Sequence, residues 1–226
     1  MKITYLGHSC FSFQLNGKDI LVDPFITGNP LAKDIDPDQI PADYILITHG
    51  HEDHILDAER ILKRTDATVI SSFEIVSWFN EKGYKGHPMN TGGSYDFEFG
   101  NVRTTQAVHS SVLPDGSYGA NPMGFVLRND DHCFYISGDT ALTMDMKLIP
   151  MVCPPLDFAI LPIGDNFTMG YKDIPFAAEF LKCNRIIGCH FDTFDVIKID
   201  REKVIGFFNK NGIDGKILDV GESVEM

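Results

Sequence analysis

A disulfide framework is the first thing this sequence excludes. Its 226 residues hold five cysteines: Cys10, Cys133, Cys153, Cys183 and Cys189. The count is odd, the spacing is scattered, and no Cys-x-x-Cys pair occurs, so neither stapled loops nor a dithiol motif is encoded. Cys183 and Cys189 lie in or beside apolar runs and read as small buried hydrophobes. Positive charge is also scarce. Nineteen Lys and Arg face 32 Asp and Glu, for a net charge of −13. Such a surface repels phosphate backbones, which disfavours a general nucleic-acid binder and leaves a small-molecule substrate as the expected partner. Long apolar runs are missing: none approaches the roughly 18 residues of a membrane helix. The chain opens on strand-like Met1-Lys2-Ile3-Thr4-Tyr5, without a basic region followed by an apolar one. The expectation is a reducing, cytoplasmic protein with no membrane segment. No repeat, low-complexity tract or linker divides the sequence. With 43% hydrophobic residues the expectation is one large α/β domain over residues 1–226. No amphipathic seam stands apart from the core helices, so the sequence gives no oligomeric state.

What the chain does have is a dense cluster of metal-binding residue types. Thr48-His49-Gly50-His51-Glu52-Asp53-His54 packs three histidines and two acids into seven residues. The apolar run Tyr44-Ile45-Leu46-Ile47 precedes it, and an amphipathic run from Ile55 to Arg64 follows. This predicts a strand, a short loop and a helix, a junction where α/β proteins often place their chemistry. Imidazole and carboxylate suit zinc, and also manganese and iron. His49 and His51 are two apart in a loop and can turn to one point. Asp53 and His54, at the first helical turn, can face a second point. One ion cannot easily take all four, so the spacing favours two metals side by side. Asp53 has a competing role as a plain helix N-cap.

Other candidates fall at predicted strand ends. Strands are expected at Ile3–Leu6, Phe11–Leu15 and Asp19–Val22, with a hairpin turn at Asn16-Gly17. His8 follows the first strand, and Asp23 ends the third, where it can cap a turn. Residues 26–42 form a long loop expected to border the site. Further on come a strand at 67–70 and a helix at about 73–82, whose Ile75, Val76 and Phe79 repeat at core spacing. His87 is expected in a loop, with no site role. Strands around Gly100-Asn101 end at His109-Ser110-Ser111, and the loop 112–122 is a candidate substrate lip. Strands at 124–128 and 132–136 lead to Gly138-Asp139-Thr140, where glycine permits a sharp turn and the carboxylate can leave the sheet end. Asp139 has a competing role as the cap of a helix near 141–149. A buried strand at 157–161 feeds a loop containing Asn166 and Thr168, which either contact substrate or brace the loop. After a helix at about 173–182, the strand Arg185–Cys189 ends at His190. A helix near 201–210 and a strand at 216–219 close the chain.

These residues resemble the metallo-β-lactamase superfamily. His-x-His-x-Asp-His after a strand is similar to its signature, and the resemblance covers nearly the whole chain. Leu6-Gly7-His8-Ser9, Val22-Asp23-Pro24-Phe25, Gly28-Asn29-Pro30-Leu31, Gly138-Asp139-Thr140 and the stretch Pro162–Gly170 are similar to a bacterial metal-dependent hydrolase branch akin to the ascorbate-phosphate lactonases. The resemblance implies an αββα sandwich of two mixed sheets with the metals at one edge. It implies two divalent ions, with zinc the first choice. His49, His51 and His109 would hold one; Asp53, His54 and His190 would hold the other; Asp139 would bridge them. The hydroxide between the ions would attack a small ester, lactone or phosphoester, with Asp53 orienting it or accepting its proton. His8 and Asp23 would support ligands or substrate. Where family members often carry an aromatic and an Asn after the last histidine, this chain has Phe191 and Asp192, an added acid expected to make the rim more negative. The alternative function is a di-iron redox or oxygen-handling protein on the same scaffold. Such members typically carry a fused flavin domain, for which 226 residues leave no room.

Overall fold

The two halves of the chain each build a sheet on the same plan. The computed structural model describes residues 1–226. In the first half, Lys2–Gly7 (β1), Cys10–Leu15 (β2) and Lys18–Val22 (β3) form an antiparallel meander. Its turn places Asn16 and Gly17 at φ 48° and 75°, left-handed geometry whose twist matches paired strands. Tyr44–Leu46 (β4), Thr68–Ser72 (β5) and Gly86–Met89 (β6) continue the sheet in parallel. Helices Glu52–Ile55 (α1), Ala58–Thr65 (α2) and Phe73–Glu81 (α3) make the crossovers. In the second half, Ser94–Phe97 (β7), Gly100–Gln106 (β8), Met123–Arg128 (β9) and Cys133–Ile136 (β10) are antiparallel. After Ile149–Val152 (α4), the strands Phe158–Pro162 (β11), Arg185–Cys189 (β12) and Asp214–Lys216 (β13) are parallel, separated by Ile174–Leu181 (α5) and Arg201–Lys210 (α6). A last strand, Ser223–Glu225 (β14), returns to pair with β1. The orders are β14-β1-β2-β3-β4-β5-β6 and β13-β12-β11-β10-β9-β8-β7.

Strand periodicity puts successive side chains on opposite faces. Ile20, Val22, Leu46 and Ile70 therefore join the core between the sheets. Their neighbours Leu21, Ile45, Ile47 and Val69 pack under α2 and α3 against Ile61, Leu62, Ile75, Val76 and Phe79. Burial on both faces is why β4 and β5 read as apolar runs rather than alternating ones. No helix is long and apolar enough to cross a membrane.

Four local expectations are corrected. The helix expected over 55–64 is two helices, broken at Asp57, whose buried carboxylate accepts hydrogen bonds from Ile26 N, Thr27 N and Thr27 Oγ1 at 2.6–2.9 Å. The helix expected near 141–149 is a tight turn over Met144–Leu148 with α4 after it. Pro150 at the start of α4 lacks the N–H that would continue the earlier turn. His87 lies in β6, not in a loop. Its ring packs on Tyr95 and Phe97, and Pro88 is tolerated because β6 is an edge strand. The closing strand runs over 214–216, earlier than expected, and β14 was not anticipated.

The site residues share one edge of the sandwich. Asp23 follows β3, Thr48 and His49 follow β4, Asp139 follows β10 and His190 follows β12. His8 and His109 arrive there from the ends of β1 and β8.

Candidate metal centre and its cavity

Asp139 is the hub. Its Oδ2 lies 2.9 Å from His190 Nε2, 3.3 Å from His54 Nε2 and 3.6 Å from His109 Nε2. His49, His51 and His109 place one nitrogen each within 4.8 Å of one another, and so do His49 and His54 with an Asp139 oxygen. A further group joins Asp53, His54, His190 and His8. All seven ligands named by the resemblance thus converge on one spot from four strand ends and one helix. Two glycines permit the approach. Gly138 has φ 61°, and a Cβ there would stand 2.7 Å from Thr48 Cβ. A Cβ on Gly164 would stand 2.1 Å from the His190 carbonyl oxygen. His8, Asp23 and His190 themselves sit at φ 55°, 43° and 53°, left-handed backbone that costs a non-glycine residue about 1–3 kcal/mol and concentrates at functional sites.

Behind the hub, buried hydrogen bonds fix which nitrogen of each ring faces inward. Asp23 accepts from Thr48 N at 2.8 Å and from Thr48 Oγ1 at 2.7 Å. The Thr48 hydroxyl proton is thereby used, so its oxygen accepts from His49 Nδ1 at 2.9 Å. That assigns the proton to Nδ1 and leaves His49 Nε2 with a lone pair. The same Asp23 carboxylate accepts from His54 Nδ1 at 2.8 Å, turning His54 Nε2 toward Asp139. One buried acid thus orients two candidate ligands, the role of an outer-shell carboxylate. His8 is engaged at both nitrogens, to Thr193 Oγ1 at 2.9 Å and to Asp53 Oδ2 at 3.0 Å. A carboxylate only accepts, so His8 Nε2 donates to Asp53 and His8 Nδ1 accepts from Thr193. His8 is therefore an anchor for Asp53 and has no nitrogen left for a metal. Ser110 Oγ stands 3.4 Å from His51 Nε2. Ser111 Oγ accepts from Gly50 N and donates to Gly119 O, which braces the motif loop.

Electrostatics keep the centre ready for cations. Burial pushes His49 well below the usual imidazole range and lowers His51 and His109. Neutral imidazole is the ligand form. Burial raises the Asp139 pKa, but His190 and His54 outweigh it and hold the carboxyl well below its usual range. Burial opposes charge on His54 as well, yet Asp139 and Asp23 push it up. Burial takes His8 down to about 4. His54 Nε2 and Asp139 Oδ1 are buried without any hydrogen-bond partner. His49 Nε2, which carries the lone pair, lies within hydrogen-bond distance of His51 Nδ1, at 2.9 Å. A buried ring nitrogen and carboxylate oxygen left without partners are expensive unless a cation sits among them, so the donor set fits divalent metal.

The hub opens into a cavity of about 680 Å³. Its polar side is His51, Glu52, Asp53, His109, Ser110, Asp139 and His190. Its apolar side is Phe25, Leu56, Phe167, Phe194 and Val196. The structure does not bring Asn166 and Thr168 into this lining. Asn166 is exposed over a neighbouring hollow, and Thr168 Oγ1 donates to Met169 O. Asn166, at φ 61°, turns the loop so that Phe167 between them faces the site. The segment 112–122 is not a lip either: its Val112 carbonyl packs against Gly50 and its Leu113 is buried beneath the helices. Asp192 does not add charge to the rim. Its carboxylate accepts from Ile199 N and lies 3.6 Å from Arg201. Sequence reasoning missed Thr48, Asp57 and Thr193. It also gave no role to the three cavity phenylalanines, although Phe25 and Phe167 fall within stretches that carry the resemblance.

Comparisons with known proteins bear on the family and the fold. Residues 2–190 match the model of the β-lactamase superfamily domain. A UPF0173 metal-dependent hydrolase of Christiangramia forsetii is 55% identical over 100% of both chains. Igni18, a metallo hydrolase from the archaeon Ignicoccus hospitalis, superposes with a TM-score of 0.88 at 33% identity, covering 99% of this chain and 97% of that one. An isothiocyanate hydrolase from Delia radicum gut bacteria shares the fold, with a TM-score of 0.80, 19% identity, and coverage of 100% and 99%.

Proposed function

The chain belongs to the metallo-β-lactamase superfamily and is a metal-dependent hydrolase, and on that premise we propose that it hydrolyses a small ester, lactone or phosphoester at a dinuclear site. The observation that carries this reading is Asp139, whose Oδ2 lies within 3.6 Å of three imidazole nitrogens while Oδ1 has no partner. His49, His51 and His109 would hold one divalent ion, and Asp53, His54 and His190 the other, with Asp139 shared. Zinc is the first choice for this donor set, with manganese and iron as alternatives. Bound ions supply a nucleophile at neutral pH, by taking the pKa of water from about 15.7 toward roughly 7, and polarise the scissile oxygen.

The chain's own residues do the rest. Asp23 fixes the ring orientation of His54 directly and of His49 through Thr48. His8 holds Oδ2 of Asp53 by a donated hydrogen bond, and Asp53 lines the cavity. Asp53 is kept ionised although burial opposes it, because that bond and the nearby His54 lower its pKa. An ionised carboxylate at this place can accept the proton that the attacking water gives up. No covalent nucleophile is needed. Cys10 is fully buried with its thiol pKa pushed up by that burial, and Ser111 is occupied by the loop it braces.

The test compares metal-loaded wild type with Asp139→Ala on an uncharged ester, a lactone and a phosphodiester. The expected result is turnover of at least one substrate by wild type that chelation abolishes. In the variant the loss should exceed the roughly 10–100-fold typical of an outer-shell change. A folded Asp139→Ala that keeps wild-type turnover would remove the hub from the mechanism.

A further inference from the structure

The apolar half of the cavity carries no cation, and we propose that the substrate carries an uncharged alkyl or aryl group that lies against Phe25, Phe167, Phe194 and Val196 while its scissile bond meets Asp139. This rests on the hydrolase reading and narrows it to substrates whose group away from the scissile bond is apolar. Three observations carry it. First, no Lys or Arg lines the cavity. Beside Phe194 and Val196, Lys198 pairs with Asp195, and Arg201 with Asp192 and Asp219. Lys198 and Lys203 border the separate hollow that holds Asn166. A phosphate or carboxylate on this wall would lose hydration and gain no partner. Second, large apolar side chains stay exposed at the mouth, with Phe167 52%, Phe194 37% and Val196 59% accessible. Against a surface of net charge −13, such a patch beside a reactive centre marks the seat of an apolar ligand group. Third, the wall is tied to the centre. Phe25 and Phe194 each set an edge-on ring 5.4–5.5 Å from His8, the residue that anchors Asp53. Asp57 pins Ile26 and Thr27 just after Phe25. The volume, about 680 Å³, lies within the roughly 300–1,000 Å³ usual for small-ligand sites.

Two readouts test this. The first is hydrolysis by the metal-loaded enzyme of 4-nitrophenyl esters with acyl chains from acetyl to octanoyl, and of γ-lactones with matching side chains. Partner compounds end the same chains in carboxylate or in ammonium. The second is binding of the corresponding alkyl hydroxamates, followed calorimetrically, which needs no turnover. Each added methylene should strengthen binding or kcat/KM by up to about fourfold until the wall is filled. A terminal carboxylate or ammonium should reverse the gain by at least about tenfold. Phe167→Ala and Phe194→Ala should flatten the chain-length ladder, raising KM for long chains more than for acetyl, and Phe194→Leu should restore most of it. These positions are exposed, and melting temperatures identify any variant that misfolds. A flat ladder in the wild type, tighter binding of either charged series, or a ladder untouched in Phe167→Ala and Phe194→Ala overturns the proposal. If no ester, lactone or phosphodiester is turned over while the hydroxamate ladder holds, the hydrolase reading fails and the apolar wall stands.

Discussion

Asp139 and Phe194 line the same cavity under opposite conditions. Asp139 is 2% exposed and has three imidazoles within 3.6 Å. Phe194 is 37% exposed, and its ring meets only the edge of His8 among the aromatic groups. The floor is braced from behind: Thr48 holds His49, Asp23 holds His54 and His8 holds Asp53, and His8 and Asp23 themselves sit at strand ends in left-handed backbone. The wall is three loops placing apolar side chains beside that floor. On the proposed reading, the chemistry rests on the buried floor and the choice of substrate on wall residues such as Phe167, Phe194 and Val196 that remain exposed.

That difference can be broken from the floor side first. Asp23→Ala would leave His54 Nδ1 and both Thr48 donors without their acceptor in a buried place. It should destabilise the fold by about 3–5 kcal/mol and weaken metal binding by roughly 10–100-fold, read by denaturant titration and by competition with a chelator. Intact stability in that variant would show that the buried acid is not holding the rings. Gly138→Ala comes next. Its φ of 61° and a new Cβ 2.7 Å from Thr48 should cost about 2–3 kcal/mol, seen as a lower melting temperature and a loosened Asp139. Thr193→Val removes one hydrogen bond to His8 and should cost about 1 kcal/mol. Its effect should fall mainly on kcat, because His8 acts on Asp53 rather than on substrate; an effect confined to KM would place His8 against the substrate instead. The smallest stability effect belongs to the wall. Phe194→Ala should change unfolding free energy by no more than about 0.5–1 kcal/mol while altering selectivity among chain lengths. A large loss of stability there would erase the contrast between the two regions.

The floor was legible in the sequence for the same reason that it is rigid. Three histidines and two acids in seven residues are rare without a metal, and His109, Asp139 and His190 each stand just after a strand that periodicity reveals. The sandwich itself showed through as two strand-rich stretches, each followed by strand–helix alternation. The wall was not legible. Phenylalanine is the default core residue, so Phe25, Phe167 and Phe194 gain meaning only once the loops are placed in space. The polar neighbours Asn166 and Thr168 drew the reading instead, because hydrogen-bonding groups in a loop look like substrate contacts whether or not they face the cavity. Asp57 looked like an ordinary helical residue, since nothing local shows that its partners lie some thirty positions earlier, at Ile26 and Thr27. β14 escaped because three residues at a sheet edge carry too little pattern, and its pairing with β1 joins opposite ends of the chain.

The central claim is that Asp139 unites two ion-binding sets. Elemental analysis of the reconstituted, desalted protein tests it most directly, with wild type and Asp139→Ala measured side by side. Two divalent ions per chain in the wild type, falling to one or none in the variant, is the predicted result. One ion or none in the wild type, or two retained in Asp139→Ala, would contradict it.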